Sequence, residues 1–182
     1  MPRYQPLLKA AAIGAVAGLI ATVPMTLAMR AMFRRLPRSQ QYPLPPRQIV
    51  TRLAHAARVR RQLDDDERRY AARAAHFGFG TSAGAVYGAV GRPLMPGVSG
   101  GMVFGLLVWA GSYLGWLPAA GILPPATRMP RQRNVLMIVA HLVWGASVSL
   151  LADTFAQISG RRRITNRGTK QFHSAKSVQS TR

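Results

Sequence analysis

The chain has 182 residues, enough for one compact domain, and carries 25 Lys and Arg against 5 Asp and Glu, a formal charge of +20. A basic nucleic-acid binder would spread such charge over one face. Here it crowds into 30–73 and 161–182, separated by long stretches almost free of charge, which argues against a nucleic-acid partner. With no cysteine, neither a disulfide framework nor a thiolate metal site can form.

Ala10 to Met29 runs for twenty residues without a charge. At about 1.5 Å per residue it can cross a ~30 Å hydrocarbon core. Pro24 sits inside it, which membrane helices tolerate better than soluble ones. Only Arg3 and Lys9 precede the run, a start that a signal peptide would share. Met29, Arg30, Met32 and Phe33 leave no small-x-small cleavage site after it, so it reads as a span.

The basic loop 30–73 follows. Leu36 to Pro46 holds four prolines and is expected to be extended. From Arg47 to Leu63, Ile49, Val50, Leu53, Ala57 and Leu63 fall on one helical side, with Arg47, Arg52, Arg58 and Arg61 elsewhere. That pattern fits an amphipathic helix on anionic lipid headgroups, or equally a solvated basic helix. Asp64 with Glu67 three residues on has the form of an N-cap and capping box, so the next helix starts near Asp65 in water.

Three further spans are expected. Ala74 to Val90 is the weakest, holding His76, Thr81, Ser82 and four glycines; Val98 to Leu117 and Val135 to Ala152, ending at Asp153, are strong. Trp109, Tyr113 and Trp116 mark the end of the third, with Trp116 best placed for an interfacial belt. Gly91 to Gly97, with Pro93 and Pro96, reads as a tight turn joining spans two and three. The tail at 161–182 is basic and Ser/Thr-rich and is expected to be disordered.

A duplication runs through the chain. Gly14-Ala15-Val16-Ala17-Gly18-Leu19 matches Gly101-Met102-Val103-Phe104-Gly105-Leu106; Leu44-Pro45-Pro46 matches Leu123-Pro124-Pro125; and the stretch from Ala75-His76 to Ser82 matches that from Ala140-His141 to Ser147. Each unit holds two spans, so both enter the membrane in the same direction, related by a pseudo-two-fold along its normal. The fold expected is an all-α four-helix membrane bundle of two tandem two-span repeats, with spans at 10–29, 74–90, 98–117 and 135–153. Both Leu-Pro-Pro loops fall on one face, which carries fifteen of the 25 basic residues; the positive-inside tendency leans that face toward the cytoplasm, while Arg161 to Arg163 pull the other way.

Gly14 with Gly18, Gly101 with Gly105, and Gly80 with Gly84 and Gly88 form small-xxx-small series, the spacing that lets backbones approach in lipid. They point to packing within the chain, and a homo-oligomer through the same faces is compatible with them. Arg92 and Asp153 emerge on one face, spaced for an ion pair, with two solvated helix ends as the equal alternative. His76 and His141 occupy equivalent repeat positions, and ionisable groups inside a span are costly enough to suggest function. Three readings fit: hydrogen bonding across helices or near headgroups, a proton relay, and axial ligation of a haem or metal. No carboxylate lies near in sequence to complete a metal site, and no nucleophile elbow, P-loop, GxGxxG or HExxH pattern occurs, so neither an enzyme nor a resident cofactor is expected.

The order of these features resembles the YagU-like family of bacterial inner-membrane proteins over about residues 10–163. The features are a glycine-rich first span, Leu44-Pro45-Pro46-Arg47, a His-led second span, Pro124-Pro125 and His141-Leu142-Val143-Trp144. The resemblance implies a bacterial inner membrane and a multi-span helical fold, carries no catalytic residues across, and is strained by a 30–73 loop more basic than the family leads one to expect. The function expected is that of a multi-pass inner-membrane protein without an assigned activity, structural or stress-related. The alternatives are a small transporter or channel subunit with a His76/His141 relay, and a haem-binding or redox membrane protein.

Overall fold

The computed structural model describes residues 4–56 and 64–179, and among them there are helices and no strand. The long elements are α1 (Tyr4–Phe33), α2 (Pro45–Ala56), α3 (Asp65–Val86), α4 (Gly97–Ala110) and α5 (Arg131–Gln179). Among the described residues three stretches are long and apolar enough to cross a membrane: Pro6–Phe33, Gly97–Ala119 and Arg131–Ser159. The second span expected from sequence falls outside that set because α3 spends its first turns on Asp65, Asp66, Glu67, Arg68, Arg69 and Arg73.

α1 passes through Pro24 unbroken. Its inward side is made of small residues and methionine, with Ala17, Ala21, Thr22 and Met25 buried, while Val16, Leu19, Val23 and Leu27 lie about half exposed. That distribution inverts the pattern of a soluble helix, whose large apolar groups turn inward. α3 opens on the capping box read from sequence: Asp64 accepts from the Asp66 and Glu67 amides at 2.8 and 2.7 Å, and the Asp64 amide donates to Glu67 at 2.8 Å.

α1 and α3 run antiparallel along a glycine seam. A Cβ placed on Gly14 would lie 2.7 Å from the Gly88 Cα and would strike the Gly84 carbonyl; one on Gly18 would lie 2.8 Å from the Gly84 Cα and would strike the Gly80 carbonyl. α4 and α5 form a second antiparallel pair, in which Gly101 faces Gly145 and Ser149 while Gly105 faces His141 and Gly145. The pairs join where α1 packs on α5, and the Trp144 indole N–H donates to the Gly18 carbonyl at 3.3 Å. α3 and α4, in contrast, meet chiefly around Tyr87–Gly91.

Two π segments interrupt the long helices, at Tyr87–Gly91 and Gly111–Trp116, each ending two residues before a proline, Pro93 or Pro118. A proline offers no N–H to the carbonyl one turn back, and widening the preceding turn relieves the mismatch. The helix expected to stop at Val90 therefore continues through an α-turn at Arg92–Leu94, and the reversal shrinks to Met95–Gly97. Gly97 adopts φ +76°, a conformation that favours glycine, and its carbonyl accepts from Ser149 Oγ at 2.8 Å.

The proline-rich stretch 36–46 is less extended than expected: a 3₁₀ turn occupies Arg38–Gln40, and Pro45 starts α2. Proline suits a first helical turn, where its missing N–H would have had no partner. The rest of the expected amphipathic helix, with Ala57, Arg58, Arg61 and Leu63, lies outside the described residues. α5 continues as helix to Gln179, and no proline follows Pro130 to interrupt it.

Candidate functional site

Because the seams draw α1 to α3 and α4 to α5 while α3 and α4 diverge away from Tyr87, a cavity opens among the four helices at the end bearing the long loops. Its volume is about 260 Å³, near the small end of ligand sites, which run from ~300 Å³ upward. Val108, Phe79, Ala83, Met137 and Trp144 contribute apolar wall, and Pro46 and Ile49 of α2 close over one side. Both His76, from α3, and His141, from α5, line this one space.

Their surroundings differ. The His141 ring is buried, its Nδ1 lies 2.7 Å from the Met137 carbonyl, and it meets the buried Tyr113 ring edge-on at 6.0 Å. A carbonyl accepts only, so Nδ1 donates to it, and in the neutral ring Nε2 is then the nitrogen with the lone pair. His76 is half-buried, and its Nε2 is enclosed without a hydrogen-bond partner. An enclosed polar atom left unpaired is costly, and a ligand atom that bonds to it would recover that cost. Thr22 and Ser112 add hydroxyls to the wall, although the Thr22 hydroxyl already donates to the Gly18 carbonyl at 2.7 Å. Among the described residues no group of three or more His, Cys, Asp or Glu could hold a metal.

At the opposite end Arg92 Nε donates to Asp153 Oδ1 at 2.6 Å, both side chains about one-third exposed, tying the reversal between α3 and α4 to α5. The glycines picked out in the sequence all sit in the two seams, and none contributes chemistry. Sequence reasoning passed over Arg133. It is buried 3.7 Å above the Tyr42 ring, and its guanidinium donates to the carbonyls of Gln40, Tyr42 and Pro43 at 2.6, 3.0 and 3.1 Å. This clamp fixes the segment that leads into α2, and so the position of Pro46 and Ile49 at the cavity.

An all-helical chain with membrane-length apolar helices around a histidine-lined cavity is the class of protein defined by these features. The chain belongs to the DUF1440 family, described as a protein of unknown function, which it matches over residues 13–150. That match spans both glycine seams, α2, the cavity and Arg133, and ends before Asp153. No curated protein and no solved structure matches the chain.

Proposed function

We propose that this is a multi-pass protein of the bacterial inner membrane in which α1, α3, α4 and α5 all cross the bilayer as two tandem hairpins. Its cavity binds a small lipid-soluble molecule with a hydrogen-bonding head. Val86 at the end of α3 and Val90 in the π segment that continues it support a crossing, since both are about half exposed and lipid suits such side chains better than water. Two antiparallel glycine-seamed pairs support the duplication. By the His76/His141 correspondence the second seam is displaced by one helical turn, ~5.4 Å, so the halves have diverged in register.

The observation that carries the function is the convergence of two imidazoles, from different helices, on one apolar space in which His76 Nε2 lacks a partner. Among the described residues no carboxylate lines the cavity and no hydrogen bond joins Ser112 to either imidazole, which favours binding over catalysis. A relay across the membrane would need polar groups beyond this end; the cavity offers a single polar cluster within apolar walls.

The test is native mass spectrometry of the full chain purified in mild detergent. One small lipid-soluble molecule should be retained by the wild type and lost from His76→Ala and His141→Ala. Equal retention by both variants, or a bare wild-type chain, would overturn the reading. A Soret band abolished by the same substitutions would replace it with haem ligation.

A further inference from the structure

On the other face of α2 lies a second depression, walled by Pro43, Gln48, Thr51, Arg47, Arg52, Asp65 and Arg68. Three guanidinium groups and one carboxylate share it. Arg47 and Arg68 both approach Asp65, at 3.5 and 3.6 Å, while among the described residues Arg52 makes no ion pair. The hydroxyl of Thr51 and the amide of Gln48 are turned to backbone carbonyls of Arg47 and Pro43, at 2.8 and 2.6 Å, which leaves the arginines as the groups able to hold an anion. The depression has about 500 Å³ of space.

Its depth is set by its neighbours. Pro46 and Ile49, on the same turns of α2 as Arg47 and Gln48, face the apolar cavity, and Trp116, also at the cavity, is about half exposed at the end of the Gly97–Ala119 stretch. Tryptophan at the end of a span marks headgroup level. The arginines therefore sit where apolar wall gives way to charge. The Asp66 and Glu67 amides in the first turn of α3 are already taken by its capping box, so side chains are the groups that offer an anion a charge-assisted bond here.

We propose that the depression between α2 and the start of α3 binds the phosphate of an anionic phospholipid through Arg47, Arg52 and Arg68. Guanidinium groups match phosphate in a planar, two-point geometry that lysine cannot reproduce. A lipid so held pins α2 in the position that closes the cavity. The site rests on the membrane reading of the chain and is independent of what the cavity binds.

The test uses the full chain in mild detergent, offered phosphatidylglycerol and phosphatidylcholine of identical acyl chains, with retention read by native mass spectrometry. The wild type should prefer phosphatidylglycerol by about ten-fold or more, the scale expected of two or three arginines at headgroup depth. Arg47→Gln with Arg52→Gln should reduce the preference to less than about two-fold. Arg34→Gln with Arg38→Gln, which removes equal charge elsewhere in the loop, should leave it intact. Arg47→Lys with Arg52→Lys, which keeps charge and fold, should keep part of it. Equal loss from both Gln pairs would overturn the site in favour of diffuse attraction, and an unchanged preference in the first pair would overturn it outright. Displacement of the lipid by millimolar inorganic phosphate would reassign the site to a free anion. Carbonate extraction of the chain from membranes tests the underlying reading separately.

Discussion

Gly84→Ala tests whether the α1–α3 seam holds the bundle together. A Cβ at residue 84 would lie 2.7 Å from the Gly18 Cα and 3.0 Å from the Gly18 amide nitrogen, and would strike the Gly14 carbonyl. Carbon atoms pack best at about 3.5–4.0 Å, so the backbones must part by about 1 Å. A gap of that size forfeits a quarter to a half of each contact's attraction along the seam, and forced overpacking costs about 1–3 kcal/mol. Alanine also gains about 1 kcal/mol over glycine in helix propensity. Gly78→Ala supplies that gain alone, because nothing lies within 4 Å of a Cβ there. The difference between the two variants isolates the seam at about 1–3 kcal/mol. It is measured by reversible unfolding in mixed micelles with increasing sodium dodecyl sulfate, followed by tryptophan fluorescence. A difference under about 0.5 kcal/mol, the size of an ordinary surface substitution, would refute the reasoning.

Three other outcomes are expected. Arg133→Met should cost about 2–4 kcal/mol, because it strips three carbonyls and the Tyr42 face of their cation, and Arg133→Lys should recover only part; limited proteolysis between residues 34 and 44 reads the released segment. A double-mutant cycle of Arg92→Gln and Asp153→Asn should give a coupling of less than about 1 kcal/mol, since both side chains are 37% exposed. Ala83→Leu should fill the cavity and abolish retention of its small molecule while unfolding stability stays within about 1 kcal/mol of wild type; a variant that still carries the ligand would place binding elsewhere.

The features legible in the sequence are those whose cause is local. The charge-free runs at 10–29, 98–117 and 135–152 lie within helices of membrane length, and the Asp64/Glu67 box caps α3 as its spacing indicates. The small-xxx-small series lie in helix contacts because a missing side chain is visible in sequence as well as in space. Arg133 was illegible for the opposite reason. It reads as one more basic residue flanking a span, and its partners are backbone carbonyls some 90 residues away, which leave no side-chain signature. The π segments escaped notice because Pro93 and Pro118 signal an interruption without saying whether the helix ends or widens.

Packing and site have one origin. Glycine at Gly14, Gly18, Gly84 and Gly88 brings α1 and α3 into backbone contact, and Gly101, Gly105 and Gly145 do the same for α4 and α5. Helices that touch this closely leave the other pair of neighbours, α3 and α4, to be spaced by whatever side chains stand between them. At one end Tyr87 and Phe104 fill the space, with ring centroids 5.2 Å apart. Toward the long loops, among the described residues, no such ring pair joins α3 to α4, and the gap becomes the cavity that His76 and His141 line. Larger residues in the seams would push α1 from α3 and α4 from α5, and the same displacement would alter the spacing of the two imidazoles. The glycines carry no chemistry, yet their register sets the space between the helices that hold the two histidines.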